Sequence, residues 1–334
     1  MTTTPDAGRA RQYWTQAAWH GRVREVQVPV PAQGEVLIET ELSGISPGTE
    51  SLIHRGDVPD SVAGLMRAPQ QLGELPFPVS HGYLNVGIVR QGPEHLVGRR
   101  VFTLAGHRSH VVVPIGDCHL VGEDVPAERD LLAGVAEVGL NALWEAPVTL
   151  GDRIAVIGGG LVGLVTALLV QGVSPARLQL VEVDDVRSRL AADLGLHTVL
   201  PADAAADNDV VLHASASAEG LRRALEITGD DGSVVELSWY GTRSPQVPLG
   251  ADFHARRLRL LGTQVGQVAA PRRLRRSRTQ RLAAALSLLD ARFDALVTGR
   301  SPVERLPEVM DDFAAAAAWT RSQLLHVVTY EGDT

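Results

Sequence analysis

The glycines at positions 158, 160 and 163 are the residues whose type and spacing most directly predict chemistry. They follow a short apolar run of mostly β-branched residues and open a longer apolar segment. In GxGxxG spacing between a strand and a helix, the first glycine permits a tight turn and the second lets a pyrophosphate approach the backbone. The third lets the helix pack closely on the sheet. With the positive helix N-terminus, the pattern predicts that Gly158, Gly160, Leu161, Val162 and Gly163 bind a dinucleotide.

An acidic residue at the expected distance refines this prediction. Asp184 lies 21 residues after Gly163 (184 − 163), near the spacing of about 20 at which an acid hydrogen-bonds the adenine ribose. A carboxylate there repels a 2′-phosphate, so Asp184 predicts NAD rather than NADP. We assign the neighbouring Arg187 to the same cofactor site.

The elements around this motif are strands alternating with helices from residue 153 to about 265. Such alternation predicts an α/β fold with a doubly wound parallel sheet, whose ligands bind beyond the carboxyl ends of the strands. We therefore expect four further residues near the cofactor or substrate: Ser215, Ser238, Trp239 and Val265. Residues 11–125 are β-rich. The residues from 271 onwards predict two helices, the second of which includes the alanine run 314–318, and a closing strand.

Composition narrows the class of protein. A chain of 334 residues accommodates two domains, and no apolar run reaches the about 18 residues of a membrane span. The N-terminus has no signal-peptide pattern, so we expect a cytoplasmic protein without a membrane partner. The net charge of −8 argues against nucleic acid.

Lysine is absent, and all 31 basic residues are arginine. This excludes Schiff-base chemistry and any mechanism that needs a catalytic lysine. The single Cys118 excludes an internal disulfide and a multi-cysteine zinc site. The arginine-rich segment 256–281 is interpreted either as a solvated face or dimer rim or as an anion clamp.

Domain order and motifs together resemble a known superfamily. The motifs GISPGTE, PFPVSHGY and VELSWYG are similar to the zinc-lacking branch of the medium-chain dehydrogenase/reductase superfamily, which includes hydroxyethyl-bacteriochlorophyllide dehydrogenases. The resemblance implies a GroES-like β-barrel catalytic domain at 1–126 and 271–334 and a Rossmann NAD-binding domain at 127–270. It also implies a substrate cleft between the domains and a homodimer paired through the edge strand LRLLGTQVG.

The resemblance further implies that no metal is bound. Ser46 stands at the position of the family's zinc-binding cysteine, Tyr83 at that of the histidine and Ala133 at that of the third ligand. Zinc requires nitrogen, sulfur or carboxylate donors, which these residues do not supply. We therefore expect a zinc-independent enzyme.

Without zinc, side chains must move the hydroxyl proton and stabilise the developing alkoxide. Glu50 is interpreted as a base or substrate anchor, or else as a solvated loop carboxylate. Tyr83 is a candidate proton donor or a packing residue, and His81 a proton relay or a core histidine. Glu137 is a candidate acid or a helix carboxylate paired with an arginine.

The remaining predicted pocket residues are Ser46, Thr49, His107, Asn141 and Trp239, whereas His54 and His213 are interpreted as structural. The sequence predicts an NAD(H)-dependent, zinc-independent oxidoreductase that acts on CH–OH donors. It would interconvert a secondary alcohol and a ketone on a small or medium polar substrate. The alternatives are an NAD(P)H-dependent quinone or enoyl reductase, a nucleotide-binding protein without turnover, and an NAD-recycling epimerase.

Overall fold

The computed structural model describes residues 8–330, and the chain divides into two compact units. The first unit consists of the chain up to Gly134 and of the segment from Val297 onwards, and the second unit is Val135–Leu296. No helix within the described residues is long and apolar enough to cross a membrane.

The first unit is built mainly from strands, as its alternating patterns predict. Its elements before the boundary are β1 (Arg9–Ala17), β2 (His20–Gln27), β3 (Glu35–Ile45), α1 (Pro47–Arg55), β4 (Leu72–Gly73), β5 (Val79–Ser80), β6 (Asn85–Gln91), β7 (Arg100–Thr103), β8 (His110–Pro114), β9 (His119–Leu120) and α2 (Ala127–Leu131).

The second unit alternates helices and strands. Its elements are α3 (Ala133–Glu145), which begins at the boundary, β10 (Arg153–Ile157), α4 (Leu161–Gln171), β11 (Arg177–Val181), α5 (Asp185–Asp193), β12 (Thr198–Val199), β13 (Asn208–His213), α6 (Ala218–Ile227), β14 (Thr228–Glu236), β15 (Arg259–Gly262) and α7 (Arg278–Ser287). The chain then returns to the first unit through β16 (Val297–Pro302), α8 (Leu306–Ala314) and β17 (Leu325–Thr329).

Two sheets make up the first unit. The larger has the order β16-β17-β3-β6-β7-β9, with β8 also paired to β3, and the smaller has the order β2-β1-β5-β4. Pairing is antiparallel except between β16 and β17. Inward apolar side chains such as Val36, Ile38 and Val111 form one core. This architecture agrees with the predicted GroES-like β-domain.

The second unit contains one parallel sheet in the order β12-β11-β10-β13-β14-β15. Counted from β10, this is 3-2-1-4-5-6, the order of dinucleotide-binding Rossmann folds. Its central strand is apolar and buried from Ile154 to Ile157 because helices cover both faces of such sheets. The predicted fold class is confirmed.

The domain boundaries differ from those expected. Segment 271–296 belongs to the Rossmann unit rather than to the β-rich unit. The reason is a side chain of α7: Arg281 is buried and hydrogen-bonded to Glu137 and Asn141 of α3. The basic, amphipathic sequence of α7 does not indicate that one of its arginines pairs with residues of α3.

Two predicted helices are shorter than their sequences suggested. The helix predicted from residue 271 begins at Arg278, because Ser277 and Gln280 form a capping box there. The helix predicted to run through the alanine run ends at Ala314, and Ala316 has a φ of +51°. Intrinsic helix propensity is a weak determinant that tertiary context overrides.

Candidate nucleotide and catalytic sites

The glycine turn between β10 and α4 has the geometry that a pyrophosphate needs. Gly158 has a φ of +101°, and a Cβ at this residue would lie 2.8 Å from the Ser215 backbone. A Cβ at Gly163 would lie 1.8 Å from the Gly158 carbonyl oxygen, so close helix packing requires glycine. A Cβ at Gly160 would meet no atom of the described residues within 4 Å beyond its chain neighbours. The turn is tight where protein packs against it and open where the phosphates are expected.

A buried acid lies beside this turn. Strand β11 ends at Val181, and the next residue, Glu182, is 5% exposed. One carboxylate oxygen accepts the Gly159 N–H at 2.5 Å. The other accepts the N–H groups of Val183 and Asp184 at 2.7 and 2.9 Å. These bonds fix the carboxylate at the end of the strand.

Asp184 occupies a different place from the one predicted. It is the N-cap of α5, where its carboxylate accepts the N–H groups of Val186 and Arg187 at 3.0 and 2.9 Å. Glu182 lies 19 residues after Gly163 (182 − 163), which fits the ribose-binding spacing as well as Asp184 does. The signal that could have identified Glu182 is the end of the apolar strand, since β11 ends at Val181, immediately before this residue. Arg187 Nη1 lies 4.0 Å from Glu182.

The other predicted cofactor residues lie in loops after the strands. Ser215 packs against Gly158, and Ser238 Oγ accepts the Ala216 N–H at 3.0 Å. The Val265 carbonyl accepts a hydrogen bond from Arg281. Trp239 is half-buried after β14.

Several predicted catalytic residues meet at the N-terminus of α1 in the β-rich unit. Tyr83 Oη donates to Ser46 Oγ at 2.6 Å, and Glu50 Oε1 accepts the Ser46 N–H at 2.8 Å. Glu50 Oε2 lies 2.8 Å from His107 Nε2, and both side chains are almost fully buried. Pro47 at N1 favours the helix start, and Glu50 in the first turn faces its positive end.

The hydrogen bonds continue beyond the residues that the sequence singled out. His107 Nδ1 lies 2.7 Å from Ser43 Oγ, which lies 2.7 Å from Tyr330 Oη. A carboxylate only accepts, so His107 Nε2 donates to Glu50, and in the tautomer protonated at Nε2 alone Nδ1 accepts from Ser43. Ser43 and Tyr330 are 287 positions apart, and no local pattern could have paired them.

Burial sets the charge state of two of these residues. His81 Nδ1 contacts Gln71 Oε1 at 3.1 Å, and its Nε2 is buried with no hydrogen-bond partner within residues 8–330. Burial lowers the pKa of His81 to about 4, so the ring is neutral at physiological pH. Burial also raises the pKa of Tyr83, so its phenol keeps the proton. Thr49 is half-buried beside this cluster.

The catalytic role predicted for Glu137 requires correction. Its carboxylate forms an ion pair with Arg281 at 3.0 Å, and both side chains are buried. Burial raises the pKa of Glu137, and the guanidinium partly offsets that effect. Asn141, predicted to line the substrate pocket, donates to Thr263 and accepts from Ala269 and Arg281. Both residues therefore serve the internal structure of the Rossmann unit.

The residues at the family's zinc positions do not suit zinc. Ser46 and Tyr83 offer neutral hydroxyl groups that bond to each other, and Ala133 offers no donor. Within residues 8–330, no group of three or more His, Cys, Asp or Glu side chains is arranged to hold a metal ion. Donor chemistry thus disagrees with a zinc site at these positions.

Sequence comparison finds dehydrogenases of alcohols. No protein-family model matches the chain. It is 26% identical to a sorbitol dehydrogenase of Macaca fascicularis over 204 residues, 59% of this chain and 56% of that protein. It is 32% identical to an L-arabinitol 4-dehydrogenase of Talaromyces emersonii over 144 residues, 40% of this chain and 37% of that protein. The chain thus spans about half or less of the length of these curated relatives.

Solved structures match over nearly the whole chain. A zinc-binding dehydrogenase from Sinorhizobium meliloti bound to NADP has a TM-score of 0.76 and 19% identity, with 96% and 99% of the two chains covered. The 2R,3R-butanediol dehydrogenase of Bacillus subtilis has a TM-score of 0.76 and 19% identity, with 96% of this chain and 100% of that chain covered. The chain has the medium-chain dehydrogenase fold. At these identities the structures establish the fold alone, and the sequence relatives support the superfamily predicted from the motifs.

Proposed function

We propose that this medium-chain dehydrogenase homologue is a nicotinamide-dependent oxidoreductase that acts on a CH–OH group without zinc. The glycine turn with Glu182 beside it carries the proposal, since its tight and open positions match what a dinucleotide requires. The named relatives act on polyols, and the positions in names such as L-arabinitol 4-dehydrogenase denote secondary alcohols. They support a secondary alcohol and its ketone as the substrate pair.

The dinucleotide would be held by residues of the Rossmann unit. The N–H groups of Leu161 and Val162 at the start of α4 suit the pyrophosphate, and Glu182 suits the adenine ribose hydroxyls. Its carboxylate disfavours a 2′-phosphate, which supports NAD(H). Arg187, 4.0 Å from Glu182, is the feature that favours NADP(H) as the second candidate, since a nearby arginine accommodates a 2′-phosphate.

Proton chemistry is assigned to the cluster in the β-rich unit. The nicotinamide, when bound, supplies or accepts the hydride. Tyr83, whose burial keeps it protonated, suits donation to a carbonyl oxygen in the reductive direction. Ser46 accepts the Tyr83 hydrogen bond and so orients the phenol. Neutral His81, whose buried Nε2 has no hydrogen-bond partner among the described residues 8–330, suits a hydrogen bond to a substrate hydroxyl.

The buried carboxylate–imidazole pair holds this cluster in place. Glu50 fixes the Ser46 backbone and binds His107. The series His107, Ser43 and Tyr330 behind it provides a continuous hydrogen-bonded path for a proton. Glu50 thus acts on Ser46 and Tyr83 as a positioning residue and a fixed negative charge.

We also propose the finer assignments that the motifs predict. These are membership of the zinc-independent branch resembling hydroxyethyl-bacteriochlorophyllide dehydrogenases, a cytoplasmic location, and a homodimer. Strand β15 forms an outer edge of the Rossmann sheet, and Leu260 on it is 36% exposed, which supports edge-to-edge pairing of two copies.

A coupled activity screen tests the proposal. Purified protein is offered polyols, other secondary alcohols, ketones and enones with each nicotinamide cofactor, and absorbance at 340 nm is followed. We expect turnover of an alcohol–ketone pair with NAD(H) that survives treatment with a strong zinc chelator. Turnover of enones alone would contradict the substrate class, and a stoichiometric metal with chelator-sensitive activity would contradict zinc independence.

A further inference from the structure

A carboxylate, an imidazole and a hydroxyl form a hydrogen-bonded series at the carboxyl ends of β13 and β14. Glu236 Oε2 lies 2.7 Å from His213 Nδ1, and His213 Nε2 lies 2.7 Å from Ser215 Oγ. His213 is fully buried, whereas the other two side chains are half-buried. Glu236 is itself fixed by the Ser238 N–H at 2.8 Å and the Tyr240 hydroxyl at 3.2 Å. These hydrogen bonds involve a histidine that is interpreted as structural from the sequence alone.

The series ends beside the glycine turn. A Cβ at Gly158 would lie 2.9 Å from the Ser215 Cβ, so this serine borders the predicted pyrophosphate site. The next residue, Ala216, has a φ of +51°, in the left-handed region that favours glycine. Its N–H donates to Ser238 Oγ. Strained backbone of this kind persists where surrounding bonds hold it and concentrates at functional sites.

The positions of the protons in this series determine whether Ser215 Oγ can donate or accept a hydrogen bond to a ligand. A carboxylate only accepts, so Glu236 favours the His213 tautomer whose Nδ1 carries the proton, and in that tautomer Nε2 accepts the Ser215 proton. Ser217 Oγ, 2.9 Å from Ser215 Oγ, already accepts the Gly220 N–H at 3.0 Å, and its own proton is directed to Ser215. The Ser215 oxygen is left with acceptor capacity alone.

An acceptor of this kind suits a hydroxyl group and not a phosphate oxygen. We propose that Glu236 and His213 are positioning residues that fix Ser215 as a hydrogen-bond acceptor for a ribose hydroxyl of the bound dinucleotide. Glu182 assigns the adenosine half to the β11 side of the sheet, so the half over β13 is the nicotinamide riboside. The inference rests on the proposed function.

Binding of NADH by four variants tests the assignment. Ser215→Ala removes the acceptor. His213→Asn keeps a polar group near the Nδ1 position, facing Glu236, and His213→Gln keeps one near the Nε2 position, facing Ser215. The fourth variant combines Ser215→Ala with His213→Asn. Affinity is measured by calorimetric titration and melting temperature by scanning calorimetry, with Ser287→Ala on the exposed surface of α7 as the matched control.

We expect Ser215→Ala and His213→Asn each to weaken NADH binding about three- to tenfold, the loss of one hydrogen bond. His213→Gln should retain most of the affinity, and the double variant should bind no more weakly than Ser215→Ala. AMP, which lacks the nicotinamide riboside, should bind all variants alike. A purely structural histidine would make Asn and Gln equally damaging.

Three outcomes would overturn the inference. The first is wild-type affinity in Ser215→Ala, and the second is equal loss in the two His213 variants with correct folding. Both leave the proposed function intact. The third is failure of the wild-type protein to bind NADH or NADPH, which would overturn the proposed function as well.

Discussion

Glu182 and Asp184 are two positions apart and take different roles at the end of β11. Glu182 is buried against the glycine turn, whereas Asp184 caps α5. Either acid satisfies the spacing rule, so spacing alone does not distinguish Glu182 from Asp184. Only the register of β11, which ends at Val181, separates them.

This difference predicts opposite results for two conservative variants. Glu182→Gln removes the negative charge beside the ribose site, so we expect the preference for NADH over NADPH to fall about tenfold. Asp184→Asn should leave both the preference and the stability unchanged, because asparagine caps helices as well as aspartate does. Dissociation constants for both cofactors measure the effect. Loss of preference in Asp184→Asn alone would restore the original assignment.

Tyr83 carries the second prediction at the scale of single residues. Tyr83→Phe removes the proton that the buried phenol holds. We expect kcat for ketone reduction to fall about 100-fold or more, the usual contribution of a general acid, with NADH affinity unchanged. Steady-state kinetics on the substrate found by screening, with a binding titration alongside, provide the measurement. An unchanged kcat would remove Tyr83 from the mechanism.

At the scale of elements, one buried arginine joins α7, α3 and the loop after β15. Arg281 binds Glu137 and Asn141 of α3 and the carbonyl groups of Val265 and Gln267. This loop follows the last strand of the sheet, at the edge where ligands bind. The ion pair therefore shapes a predicted cofactor loop without touching the chemistry itself.

The contacts of Arg281 predict an asymmetric response to mutation. Arg281→Met leaves Glu137 buried without its guanidinium partner. We expect the free energy of unfolding of this variant to fall by about 3 to 5 kcal/mol. Glu137→Gln should lower the free energy of unfolding by only about 1 kcal/mol, because Arg281 keeps three oxygen acceptors, on Asn141, Val265 and Gln267. Urea denaturation of both variants measures the difference. Equal losses would show that the carboxylate, and not the arginine, organises this region.

The fold was predictable further than the site was. Alternating apolar residues in β3 and the buried run of β10 are local signals, and they predicted the β-rich unit and the parallel sheet. The glycine turn was equally local. Pairs such as Ser43 with Tyr330, or Glu137 with Arg281, join residues brought together only by tertiary folding, and hydrogen bonding between them leaves no periodic pattern. Which acid stands at a strand end also depends on register, which sequence spacing resolves to a few residues at best.

At the scale of the whole molecule, buried ionisable groups determine how stability depends on pH. Burial lowers the pKa values of His81 and His326 to about 4. The unfolded chain binds protons at these residues below about pH 6.5 and the folded chain does not, so the free energy of unfolding falls from there to pH 4. Asp130 acts in the opposite direction, since burial raises its pKa to about 6.

Asp130→Asn isolates one of these effects. At pH 7 the wild-type carboxylate is ionised, 5% exposed, and one of its oxygens has no hydrogen-bond partner within residues 8–330. The neutral variant avoids this cost, so we expect it to be on the order of 1 to 3 kcal/mol more stable at pH 7. The gain should vanish near pH 4, where the wild-type residue is protonated. Denaturation curves across this range test the prediction, and a gain that persists at pH 4 would contradict it.

Every assignment above depends on the binding of a nicotinamide dinucleotide at the glycine turn, and calorimetric titration of NADH measures that binding. The matched variant is Gly160→Asp, whose Cβ lies more than 4 Å from the atoms of residues 8–330 beyond its chain neighbours. It fills the open side of the turn and places a good capping residue at the start of α4. We predict saturable one-to-one binding to the wild type. The variant should retain the wild-type melting temperature and lose binding. A wild type that does not bind NADH or NADPH, or a Gly160→Asp variant that binds as tightly as the wild type, would show that the glycine turn is not a dinucleotide site.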